Sequence, residues 1–64
     1  MTDEQMERYI ELIALNQERY DYEDALELMD VITSIFGYNE NTLDYVNYYL
    51  TGHRDYEQLK EYNE

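Results

Sequence analysis

The sequence predicts an all-α fold, a compact bundle of three helices plus a short C-terminal fourth helix. Three observations predict it. Apolar residues recur at three- and four-residue intervals, and no run alternates with period two over a useful length. The chain has no proline to interrupt a helix. Its two glycines, Gly37 and Gly52, stand where a helical pattern stops, the place for a residue with positive φ.

Each element has its own start and stop. Thr2 followed by Gln5 is a capping-box pattern that opens a first helix over residues 3–18. Asp21 is placed to cap a second over 22–36, ended by Gly37. Asn41 or Thr42 opens a third over 42–51, ended by Gly52. Asp55 with Gln58 repeats the capping-box pattern for a fourth over 56–63. No linker, internal repeat or low-complexity tract divides the chain, so residues 1–64 read as one small domain.

Stepping about 100° per residue sorts the faces. In the first helix Met6, Tyr9, Ile10 and Ile13 share the core arc, and Asp3, Glu4, Glu7, Glu11 and Glu18 lie beside it. Arg8 and Arg19 fall on a third side with Leu12 and Leu15. Those two leucines either form a homodimer seam or mark a wider core arc, and Leu15 fits the core poorly. The second helix has the widest apolar arc (Ala25, Leu28, Met29, Val31, Ile32, Ile35, Phe36), which predicts that it is the central helix. The third points Leu43, Val46, Tyr49 and Leu50 inward and leaves Asp44, Tyr45 and Tyr48 outside. The fourth buries Leu59 with Tyr56 or Tyr62.

Composition bounds the function. Sixty-four residues bury only about 60% of the surface of the unfolded chain, which leaves a thin stability margin. Leu, Ile, Val and Phe number fourteen, close to the ~20% level below which charged chains stay unfolded. Nine tyrosines and three methionines supply the missing core volume. Four Lys and Arg against sixteen Asp and Glu leave a net charge of −12. Phosphate contacts need cationic side chains, so direct nucleic-acid binding is excluded. The absence of cysteine removes disulfides and thiolate metal sites and fits a reducing, cytoplasmic setting. No signal-peptide pattern and no membrane-spanning run is present.

Enzyme chemistry finds little purchase. His53 is the only histidine, and the one serine, Ser34, lies far from it in sequence. A nucleophilic triad needs three groups converging in a sheltered pocket, and surface carboxylate rows lack the desolvation that acid–base pairs need. His53, beside Gly52 and Arg54, is placed to complement the negative end of the third helix. The run Asp21-Tyr22-Glu23-Asp24 lacks the alternating ligands and central glycine of a calcium loop. The expectation is a non-enzymatic protein with no cofactor and no metal site.

The charge pattern carries the functional reading. The second helix presents Glu23, Glu27 and Asp30 at i, i+4, i+7, and the fourth lines up Glu57, Glu61 and Glu64. Like charges four apart cost a few tenths of a kcal/mol each, and the interleaved Lys of an ordinary solvated face is mostly missing. Only Glu4 with Arg8 and Lys60 with Glu64 have that spacing. Carboxylates four apart rise about 6 Å along a helix, forming lines of anionic oxygens like those of a nucleic-acid backbone. A partner's Arg residues would pair with carboxylates much as with phosphates. The expected partner is a basic nucleic-acid-binding protein, met through Glu7 and Glu11, through Glu23, Glu27 and Asp30, and through Glu57 and Glu61. Tyr48 is the expected anchor, with Asp44 beside it, since tyrosine is enriched at interface hot spots.

Through the rows Asp3-Glu7-Glu11, Glu23-Glu27-Asp30 and Glu57-Glu61-Glu64, with tyrosines between them, the chain resembles the small acidic DNA-mimic inhibitors encoded by phages and mobile elements. Proteins of that type share charge and size rather than a motif. The resemblance implies inhibition of a host DNA-binding protein, with restriction enzymes, CRISPR nucleases, repair glycosylases, nucleoid proteins and RNA polymerase as the target classes, and a place in the host cytoplasm. The competing reading is a protein-binding adaptor or regulator that uses a tyrosine and apolar patch, its acidity serving solubility.

Overall fold

The computed structural model describes all residues, 1–64, as four helices: α1 (Asp3–Asn16), α2 (Tyr22–Phe36), α3 (Glu40–Thr51) and α4 (Tyr56–Tyr62). The predicted all-helical bundle with a short fourth helix is what forms. No helix is long and apolar enough to cross a membrane.

The local signals explain most of the boundaries. Thr2 and Gln5 make a complete capping box, the Thr2 hydroxyl accepting from the Gln5 amide and the Gln5 side chain accepting from the Thr2 amide at 2.9 Å. Asp55 caps α4 by accepting from the Gln58 amide at 2.8 Å, but the Gln58 side chain reaches back to the amide of Arg54 instead of the cap. Gly52 is left-handed at φ 83°, and its N–H closes on the carbonyl of Tyr48. Gly37 also has positive φ, at 109°, and a Cβ there would stand 2.8 Å from Nδ2 of Asn39.

Three boundaries differ from the sequence reading, the slightest being α4, which ends at Tyr62 rather than residue 63. Helix α1 stops at Asn16, because Gln17 turns extended and folds its side chain onto the following turn, accepting from the amides of Arg19 and Tyr20 and donating to the carbonyl of Tyr20. Helix α3 starts at Glu40 rather than residue 42, since Asn39, not Asn41 or Thr42, takes the cap and accepts from the Thr42 amide at 3.0 Å. Helix α2 has the expected bounds, with Asp21 in the cap position but without a side-chain hydrogen bond.

The core corrects the expectation about which helix is central. Helix α1 packs against α2, α3 and α4, and buries Met6, Tyr9, Leu12, Ile13 and Ala14. Helix α2 buries only Ala25 and Met29; Leu28 and Ile32 are half-buried, and Val31, Ile35 and Phe36 are exposed. Its apolar arc is wider than the strip that α1 and α3 can cover. Leu12 belongs to the core, which removes it from a dimer seam and leaves Leu15 exposed by itself. Tyr49 was expected inside and lies half-exposed, with the Arg19 guanidinium 4.8 Å over its ring. On α4, Leu59 is fully buried and Tyr56 half-buried, its ring edge-on to Tyr9 with centroids 5.2 Å apart. Tyr62 is exposed, 4.8 Å from the ring of His53.

Candidate functional site

Two surfaces stand out, and the same packing creates both. The first is acidic. Helix α1 buries one side and so turns Asp3, Glu4, Glu7 and Glu11 to solvent. Asp3 and Glu4, in the first turn, also complement the positive end of the helix. Glu4, Glu7 and Glu11 line a shallow concavity together with Arg8 and Tyr56. Arg8 pairs with Glu11 at 3.1 Å, not with Glu4 as the spacing suggested, and this is the only ion pair in the molecule. Lys60 and Glu64 do not pair. The sixteen carboxylates are thus almost wholly without cationic partners, and the exposed ones cannot be counted as stabilising.

Helix packing brings two of the predicted rows together. Tyr38, in the α2–α3 turn, lies in the seam between α1 and α2 with Ile10 and Asp30. Its hydroxyl is pushed above the usual tyrosine range by desolvation and by the charges of Glu7 and Asp3. The α1 row and the end of the α2 row therefore flank one tyrosine. Glu23 and Glu27 continue along the exposed side of α2, and Glu57 and Glu61 are exposed on α4. Tyr48 is exposed on α3.

Asp44 is different from its expected role. It is half-buried and accepts a 2.6 Å hydrogen bond from the Tyr9 hydroxyl, so its charge is committed to the interior. Tyr9 in turn accepts from the side chain of Asn47, which also donates to the carbonyl of Asp55. The Asn47 carbonyl oxygen accepts from the Thr51 hydroxyl. Burial, and next the bond to Asp44, hold the Tyr9 hydroxyl far above the ordinary tyrosine range. This network joins α1, α3 and the start of α4, and it is structural in the sense that every buried polar atom in it is satisfied. Asn47, fully buried, escaped the sequence reading. Its position four residues after Leu43 and three before Leu50 was the available signal.

The second surface is apolar. Where α2 leaves α3, two adjoining grooves share Ile32 and Tyr45. One, of about 480 Å³, is lined by Ile32, Phe36, Asn41, Thr42 and Tyr45. The other is lined by Tyr20, Leu28, Ile32, Tyr45, Val46 and Tyr49. Beside them Ile35 is 70% exposed, and Phe36 and Tyr45 are each 71% exposed. Neither groove contains a carboxylate, and neither contains a residue of α1 or α4.

Ser34 and His53 sit on different grooves, the first on the α1–α2 seam and the second beside Asn16 and Tyr62. No three His, Asp or Glu side chains gather closely enough to hold a metal ion. No protein-family model matches this chain, and no curated protein or solved structure is similar to it.

Proposed function

We propose that this chain is a non-enzymatic DNA-mimic protein that binds the basic nucleic-acid groove of a host DNA-binding protein and inhibits it. The observation that carries the reading is the near-total lack of ion pairing: sixteen carboxylates, one salt bridge, and the rows of α1 and α2 meeting around Tyr38. A small domain carries this self-repulsion at a cost in stability, and a cationic partner would relieve it. Arg and Lys of that partner meet Asp3, Glu7, Glu11 and Asp30 first, with Glu23, Glu27, Glu57 and Glu61 extending the field that steers association. Tyr38 joins Tyr48 as an uncharged anchor.

The test is capture of the partner followed by competition with DNA. The partner should bind DNA or this chain but not both, and the double variant Glu7→Lys with Asp30→Lys should weaken the complex more than tenfold while leaving the helical content unchanged. A ternary complex with DNA, or unchanged affinity of the variant, would overturn the reading. The adaptor reading is favoured by a separate observation, the exposure of Ile35, Phe36 and Tyr45. It predicts a partner lost on Phe36→Asp and indifferent to the charge reversals.

A further inference from the structure

We infer that the α2–α3 face is covered by a second copy of this chain, making the protein a two-fold dimer. The exposed parts of Tyr20, Phe36, Tyr45 and Tyr49, which line the grooves, amount to on the order of 500 Å². That is within the ~300–600 Å² of the largest apolar patch on a typical monomer, a patch that is often functional. Set against its own copy it buries about 1,000 Å² in total, the lower bound for a specific interface.

Charge decides the occupant. A cationic partner would gain most where carboxylates lie, and none of the sixteen lines either groove. Apart from the Arg19 guanidinium stacked over Tyr49, the face is apolar, which makes it complementary to itself. A two-fold contact centred on Ile32 and Tyr45, the residues common to both grooves, sets each apolar surface against its own copy. The carboxylates of α1 and α4 stay outside, because no residue of those helices lines the grooves. The leucine pair that the sequence offered as a seam cannot do this, since Leu12 is in the core.

The inference does not depend on the carboxylate reading, and its test needs no target protein. Sedimentation equilibrium at ~10–500 μM chain and ~0.15 M salt should give twice the 7.9 kDa chain mass. Added salt should tighten the dimer, because two bodies of charge −12 repel through a screened field while the apolar contact is not screened. Phe36→Asp and Tyr45→Asp should each weaken association at least tenfold with unchanged helical content, both side chains being largely exposed. Leu15→Asp, on an exposed site away from the grooves, should leave it unaltered. A wild-type chain that stays monomeric throughout that range, a dimer that salt dissociates, or one lost on Leu15→Asp but kept on Phe36→Asp would overturn the inference.

Discussion

Replacing Asn47 by alanine tests the account of how α1, α3 and α4 are held together. The side chain is fully buried and donates to the Tyr9 hydroxyl at 3.1 Å and to the Asp55 carbonyl at 3.0 Å. Thr51 loses little, since its hydroxyl keeps the main-chain carbonyl of residue 47 at 2.8 Å. Tyr9 keeps its bond to Asp44. The Asp55 carbonyl loses one of its two donors and keeps the Leu59 amide at 3.1 Å. Two lost hydrogen bonds at about 1 kcal/mol each put the cost at roughly 1–3 kcal/mol, with no buried carbonyl left unsatisfied. A domain of this size has roughly 3–10 kcal/mol in total. Urea titration should therefore show a clear loss of stability, and thermal melting a drop of roughly 5–20 °C. Because Asp55 caps α4, amide exchange at Gln58 and Leu59 should accelerate first. Combining the change with Tyr9→Phe should cost less than the sum of the two alone, since the groups share a bond. Additivity within ~0.3 kcal/mol, or a cost for Asn47→Ala below ~1 kcal/mol, would refute the reasoning.

Two further outcomes follow from the charges. Self-repulsion among exposed carboxylates predicts that the melting temperature rises with salt over the ~0.01–0.2 M range where screening sets in, and a flat response in calorimetry would count against it. The Tyr9 hydroxyl keeps its proton in the folded state at a pH where the unfolded chain has lost it, so its contribution is complete below the unfolded tyrosine value of ~10 and is lost as pH rises above it. Urea titrations from pH 8 to 11.5 should show stability falling by up to ~1.4 kcal/mol per unit from this group, with the slope reduced in Tyr9→Phe.

Much of the acidic surface was legible because it depends on local geometry alone. Glu7 and Glu11 lie one turn apart on α1 whatever packs against that helix, and Glu23, Glu27 and Asp30 keep their spacing on α2 for the same reason. Asp44 was not legible. Its place outside the arc of Leu43, Val46 and Leu50 suggested exposure, but the Tyr9 hydroxyl arrives from another helix and draws it inward. The merging of the α1 row with Asp30 around Tyr38 is likewise a property of how two helices cross. Leu12 illustrates the same limit from the apolar side, since its burial depends on α1 being enclosed by three neighbours.

The amino-acid order alone determines that this chain is helical, where the caps and glycine stops fall to within three residues, and that its charge is unbalanced. These follow from interactions within a turn or two, which any helix satisfies by itself. Tertiary structure alone decides that α1 is central, that α2 shows Val31, Ile35 and Phe36 to solvent, and that Asn47 and Asp44 serve the interior. The physical reason is that an apolar arc as wide as that of α2 offers more surface than its neighbours can cover, and only the positions of those neighbours select the part that is buried.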